Sequence, residues 1–183
     1  MILTAYLAGP DVFMPNAAAQ AAAKIALCDT YGLRGIAPYN PDLDPNLAPA
    51  SLWRRIYEDD LRMMRDGDII IANLTPFRGA SADAGTLVEL GWFLGTGKPA
   101  YGYSNNAASF AARSRAQMAL APDPLPGIAV EDFGLADNLM IEGALPDGLI
   151  RPQDNISRPF ESLEVFELCL KRIRDSADSR HLP

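Results

Sequence analysis

The sequence predicts an α/β fold: a flavodoxin-like, doubly wound parallel sheet of four to five strands in a single domain over residues 1–183. Three observations lead there. Short apolar runs alternate with helical patterns along residues 2–103. Residues 68–103 hold a complete βαβ unit, with a buried strand, a long loop, a helix closed by a glycine and a second buried strand. At 183 residues and 49% hydrophobic content, the chain has enough apolar side chains to cover both faces of such a sheet.

Residues 2–7 read as the first strand, ended sharply by Ala8, Gly9 and Pro10. A loop leads to Asn16, an N-cap candidate for an alanine-rich helix over 17–31, with Gly32 as its C-cap. Residues 33–37 read as a second short strand. The segment 38–49, PYNPDLDPNLAP, carries four prolines and is a loop, either on the surface or facing a ligand. Ser51 is the expected cap of the next helix. Its core face is expected to be Leu52, Trp53, Ile56, Leu61 and Met64, with Arg54, Arg55, Glu58, Asp59 and Arg62 on the solvated side, and Gly67 ends it.

The central unit begins with Ile69, Ile70, Ile71 and Ala72, an unbroken apolar run expected of a strand covered on both faces. After a loop over 73–82 comes a helix over 84–96, with Gly97 and Pro99 as its stop. Leu87, Leu90, Gly91 and Leu94 form the stripe expected to face the sheet. Val88, Trp92 and Phe93 leave little polar surface, and Glu89 is the only charge between Asp83 and Lys98. Such a carboxylate is expected in a poorly hydrated place; the simpler alternative points it to water. A strand over 100–103 follows. Residues 107–120 suit a helix or a flap, the prolines between 122 and 127 make a turn, and 136–141 and 146–150 are ambiguous. A final helix is expected over 160–175, with a flexible tail over 176–183.

Composition removes several functions. A net charge of −7 disfavours a nucleic-acid backbone or an anionic membrane as partner. No run reaches the roughly 18–20 apolar residues of a membrane span, and the N-terminus lacks the basic start of a secretory signal, so a cytoplasmic location is expected. Cys28 and Cys169 lie inside helical patterns and read as buried thiols of a reducing compartment. The one histidine, His181, sits three residues from the end, which argues against triad and histidine-zinc chemistry. Gly95-Thr96-Gly97-Lys98 is no phosphate loop, because Trp92 stands where the first glycine belongs and Pro99 where Ser or Thr belongs. No GxGxxG follows the first strand. Neither a metal nor a cofactor is expected.

Catalysis, if present, therefore falls to carboxylates, tyrosines and amides. Asp68 opens the buried strand, Asp83 starts the helix after it, and Glu89 lies one and a half turns in. Carboxylates converging on one cleft suit glycosyl transfer, in which one attacks the anomeric carbon and another handles the proton of the departing group. Each also has a plain reading: Asp83 as a helix cap, Asp68 as a solvent-facing strand end. Phe13, Phe77 and Trp92 are candidate stacking rings for an aromatic ligand.

Several motifs appear in order: Tyr6-Leu7-Ala8-Gly9-Pro10, the strand Asp68 to Leu74, Pro76-Phe77-Arg78-Gly79, Asp83-Ala84-Gly85-Thr86-Leu87-Val88-Glu89-Leu90-Gly91, and Asn138-Leu139-Met140. Together they resemble the nucleoside 2-deoxyribosyltransferase family, over most of residues 1–103 and then the short Asn-Leu-Met element. The spacing Asp-x-Gly-Thr-x-x-Glu carries most of the signal.

The resemblance implies that Glu89 is a nucleophile forming a 2-deoxyribosyl ester, with Tyr6 holding it. It implies that Asp68 binds and protonates the base and that Asp83 holds the sugar 5′-hydroxyl. Gly9, Phe13 and Phe77 join the expected substrate-binding set. Asn138 and Met140 are implied to complete the pocket of a neighbouring subunit, hence a homo-oligomer. The implied substrates are 2′-deoxynucleosides and free nucleobases, with no cofactor. Hydrolysis of nucleosides or nucleoside 5′-monophosphates, and nucleoside binding without catalysis, are the alternatives. Two departures stand out: a long stretch over 104–137, and a full helix with a tail after the Asn-Leu-Met element. Tyr39, Asn40 and Asp42 are candidate base contacts of the second loop.

Overall fold

A computed structural model describes residues 2–39, 48–120 and 125–179. Its element order is β1 (Thr4–Ala8), a 3-10 turn (Pro10–Phe13), α1 (Ala17–Thr30), β2 (Arg34–Ile36), α2 (Pro49–Asp66), β3 (Ile69–Asn73), α3 (Ala84–Gly95), β4 (Ala100–Tyr103), α4 (Phe110–Met118), α5 (Leu139–Gly143) and α6 (Glu164–Ser179). The four strands are parallel in the order β2-β1-β3-β4. Ile150 adds one parallel bridge to Tyr103 beyond β4, a rudiment of a fifth strand. With Ile150 in fifth place, this is the flavodoxin-like strand order, in which ligands bind beyond the carboxyl ends of the strands.

The isoleucine run of β3 explains the two-layer covering. Side chains alternate across a strand, so Ile69 and Ile71 pack with Cys28, Val165, Phe166 and Leu170 of α1 and α6. Ile70 and Ala72 pack with Met64, Leu90 and Phe93 of α2 and α3. Both cysteines are buried free thiols in the first of these layers. No helix among the described residues is long and apolar enough to cross a membrane.

Several local expectations shift. Helix α2 starts at Pro49 rather than after Ser51, with Ala48 at the N-cap and no side-chain cap bond; proline suits the first helical position, where its missing N–H costs nothing. Met64 is buried and Arg54, Arg55, Glu58 and Arg62 are exposed as expected, but that helix leaves Trp53 and Ile56 exposed and buries Asp59, against expectation. In α3 the buried stripe is Thr86, Leu90 and Phe93, whereas Val88 is 74% exposed and Gly91 lies on the open side. Phe93 sets this rotation by stacking on Tyr6 of β1, with centroids 5.8 Å apart. Helix α6 begins at Glu164 and runs to Ser179, past the expected end at 175.

Candidate active site

Beyond the carboxyl ends of β1 and β3 lies a cavity of about 410 Å³, within the usual size range for small-molecule sites. Four segments build it. The turn after β1 contributes Gly9, Val12 and Phe13, and the segment after β2 contributes Pro38 and Tyr39. Helix α2 presents Ile56, Asp59, Asp60 and Met63, spaced i, i+3, i+4, i+7 along one face. The first turns of α3 add Asp83, Gly85, Thr86 and Glu89.

Glu89 is half-buried on the flank of α3, beside the stripe that packs on the sheet. The fully buried Tyr6 hydroxyl donates to its Oε1 at 2.9 Å. Burial pushes the Glu89 carboxyl up to about 7; the Tyr6 bond opposes the rise, and the charges of Asp60 and Asp83 add to it. The Tyr6 phenol is itself pushed far above its ordinary value by burial and by Glu89, which keeps it a donor. Asp60 is raised to about 6, first by burial and then by neighbouring Asp59. Asp59 is only 3% exposed, and takes hydrogen bonds from Arg55 Nε at 3.0 Å and Arg62 Nη2 at 2.5 Å. The cavity thus holds two carboxyls raised toward neutrality, and the charge of Asp60 adds to the rise at Glu89, an arrangement suited to acid-base chemistry at neutral pH.

Asp83 caps α3, its Oδ2 accepting from Thr86 N at 2.9 Å and Thr86 Oγ1 at 3.0 Å. Gly9 has φ +150°, and a Cβ there would stand 2.6 Å from Asn73 Cβ, so only glycine lets the two strand ends close together under the cavity. Phe13 is 63% exposed at the cavity wall and stacks on Phe77, with centroids 5.4 Å apart. Phe77 backs Phe13 without lining the cavity, and the Arg78 guanidinium covers Phe77 at 5.2 Å. Trp92 packs edge-on against Phe93 and does not line the cavity. Tyr39 lines it; Asn40 and Asp42 lie outside the described residues.

Asp68 is not brought to this site, which corrects the sequence expectation. It precedes the amino end of β3, is exposed, and accepts a hydrogen bond from Thr4 N at 2.8 Å. A five-residue strand at roughly 3.3 Å per residue puts the cavity at the opposite edge of the sheet. The acid that does face Glu89's surroundings is Asp60, which the sequence reading passed over. Its signal was a cavity-facing stripe of α2 in which two acids interrupt apolar residues.

Asn138 caps α5, accepting from Met140 N at 3.0 Å and donating to Glu131 at 2.8 Å. Met140 is 72% exposed. Neither lines the cavity of its own chain. Asp137, just before them, is fully buried and accepts from Ser81 Oγ and Ala82 N, which ties α5 to the loop entering α3. Among the described residues, no group of three or more His, Cys, Asp or Glu is arranged to hold a metal ion.

The family model for nucleoside 2-deoxyribosyltransferases matches residues 5–140. The solved structure of a 2-desoxiribosyltransferase from Leishmania mexicana is similar at 29% identity and a TM-score of 0.63, covering 98% of this chain and 99% of that one. A conserved protein from Enterococcus faecalis V583 shares the fold, with 20% identity, a TM-score of 0.56, and coverage of 94% of this chain and 99% of that one. An uncharacterized protein of Schizosaccharomyces pombe, C191.05c, is 30% identical, over 96% of this chain and 90% of its own length. The chain belongs to the nucleoside 2-deoxyribosyltransferase family.

Proposed function

We propose that this protein moves a 2-deoxyribosyl group between nucleobases by double displacement, with retention of configuration. The observation that carries the reading is the Tyr6–Glu89 hydrogen bond inside a cavity that also holds Asp60. Glu89 Oε1 is held by Tyr6, and Oε2 takes no hydrogen bond among the described residues. Ionised Glu89 attacks the anomeric carbon through Oε2 as the C–N glycosidic bond breaks. The electron pair stays with the base nitrogen, which takes a proton from Asp60. In the second half, an incoming base loses its N–H proton to the Asp60 carboxylate while its nitrogen attacks the sugar, and the Glu89 ester oxygen departs. Two inversions give net retention.

The substrates are 2′-deoxynucleosides and free nucleobases. Val12, Phe13, Ile56 and Met63 offer the apolar wall for a base, and Asp83, which lines the same cavity, holds the 5′-hydroxyl in this reading. Asn138 and Met140 reach the cavity of a neighbouring copy in a homo-oligomer; the exposure of Met140 and Leu139, on a helix fastened to the α3 loop, supports this. Hydrolysis of nucleoside 5′-monophosphates fits less well. Four carboxylates and no Lys or Arg are among the described lining residues, and each like-charge pair at ~4 Å costs about 4 kcal/mol at an effective dielectric near 20.

The test is incubation with one 2′-deoxynucleoside and a different free base, followed by chromatography. The wild type should yield the exchanged nucleoside, and Glu89→Ala should yield none while keeping its circular dichroism. Free deoxyribose as the main product would make the protein a hydrolase, and exchange by Glu89→Ala near the wild-type rate would remove Glu89 from its role.

A further inference from the structure

Helix α1 is nearly all alanine at its start, and its two polar residues before Cys28 are Gln20 and Lys24. An amphipathic helix turns such residues to water. Here Gln20, Lys24 and Cys28 are the buried positions. Lys24 Nζ lies 2.6 Å from Asp11 Oδ2, with the two side chains 4% and 13% exposed. Burial pulls the ammonium down and the Asp11 carboxylate draws it back up; the rings of Tyr103 and Phe166 lie 5.5 Å from the nitrogen. A buried ion pair is rarely the most stable choice for such a position, and alanine would fit the helix with no desolvation cost. Its use here points to geometry.

The pair belongs to a ladder that crosses the carboxyl edge of the sheet. Asn73 Nδ2, at the end of β3, donates to both Asp11 oxygens at 3.2 and 3.1 Å. Asn73 Oδ1 accepts from Thr75 N at 3.1 Å and Thr75 Oγ1 at 2.6 Å, and Thr75 Oγ1 accepts from Asn105 N at 3.0 Å, beyond β4. Asp11 is the second residue of the 3-10 turn, which has no side-chain cap bond. The next two residues, Val12 and Phe13, line the cavity. The turn that presents an apolar wall to the base is therefore held from behind by Lys24 and Asn73 through one carboxylate. Glu89 and Asp60 stand on α3 and α2, outside this ladder.

We propose that Lys24 is a positioning residue: through Asp11 and Asn73 it holds the Pro10–Phe13 turn ready for a nucleobase, so that affinity for the base depends on it and bond breaking does not. This rests on the assignment of the cavity to nucleosides made above. Preorganisation of a binding element acts by removing an ordering cost from the binding step, so its loss appears in Kd and KM rather than in kcat.

The variant is Lys24→Met, which keeps the length of the side chain and removes its charge. Asp11→Asn/Lys24→Met is prepared alongside, because it buries no unmatched charge and keeps the folded state if the single variant does not. Hydrogen exchange of the peptide covering residues 9–16 should speed up by about tenfold or more, with the β3 and α3 peptides unchanged. Calorimetric Kd values for 2′-deoxyadenosine and adenine, and KM for both in exchange, should rise about tenfold while kcat stays within about threefold. Unaltered exchange in 9–16, or a fall in kcat at constant Kd, would overturn the proposal. A wild type that binds 2′-deoxyadenosine but exchanges no base would sink the transferase reading alone, and the exchange and Kd comparisons would still decide the role of Lys24.

Discussion

Replacing Tyr6 by Phe removes one hydroxyl and the 2.9 Å bond to Glu89, and keeps the ring that stacks on Phe93. In the wild type that bond is the one cause that lowers the Glu89 pKa, against burial and two neighbouring acids that raise it, and the balance stands at about 7. A hydrogen bond to a charged group contributes about 1.5–3 kcal/mol, and one pKa unit is about 1.36 kcal/mol. Glu89 in Tyr6→Phe should therefore titrate about 1–2 units higher, at about 8–9. In the proposed reaction the attacking form is the carboxylate, so activity through this group should rise with pH. At pH 7 the ionised fraction falls from about one half to between about a tenth and a hundredth, a loss of about 5- to 50-fold. At pH 9 the same shift leaves the wild type ahead by about twofold at most. The assay is the initial rate of base exchange across that range, expressed as the wild-type to variant ratio at each pH, so that titration of Asp60 cancels. A ratio that does not change with pH, or equals one throughout, would refute the assignment of Tyr6 as the group that holds the nucleophile ionised.

Other outcomes follow from the same geometry. Asp60→Asn should lower kcat by about 10²–10⁴-fold, the usual contribution of a general acid, whereas Asp68→Asn should leave exchange rates and their pH profile unchanged; equal losses in both would count against Asp60 as the acid of this cavity. Glu89→Gln should stabilise the fold at pH 8 and not at pH 4. The folded carboxyl is raised from 4.5 to about 7, so the folded state holds a proton that the unfolded chain has released, and stability drains away as pH climbs through that window. The gain is at most about 3 kcal/mol, read as a higher Tm in melts at pH 8 and no difference at pH 4. Gly9→Ala should cost about 1–3 kcal/mol or more in urea unfolding, because the left-handed backbone and the Asn73 contact both resist a Cβ. Dilution below the assembly concentration should reduce exchange per chain, and Met140→Glu should do so without dilution; constant specific activity in both cases would argue that each chain works alone.

Much of this arrangement is written locally. The isoleucine run of β3, the Asp83 cap, the Gly97 stop and the solitary Glu89 are features of contiguous residues, and a βαβ unit with its loop at the carboxyl end follows from them. The lone acid on a greasy helix is a local signal of a poorly hydrated carboxylate, whose pKa burial raises. Asp68 too is decided locally: a residue that opens a parallel strand stands at the edge opposite the ligand.

Tertiary structure alone decided the rest, since it concerns contacts between residues far apart in the chain. Tyr6 meets Glu89 across 83 positions, and Asn73 meets Asp11 across 62. Whether Asp60 or Asp68 shares a cavity with Glu89 depends on how α2 crosses the sheet, and the rotation of a helix is set by the bulk of its packing partners. The inward turn of Lys24 and Asp59 has the same origin. Each is a polar residue on a helix whose pattern points it at water: Lys24 is held inside by Asp11 of another element, and Asp59 is paired with Arg55 and Arg62 of its own helix, so only its burial is a tertiary matter.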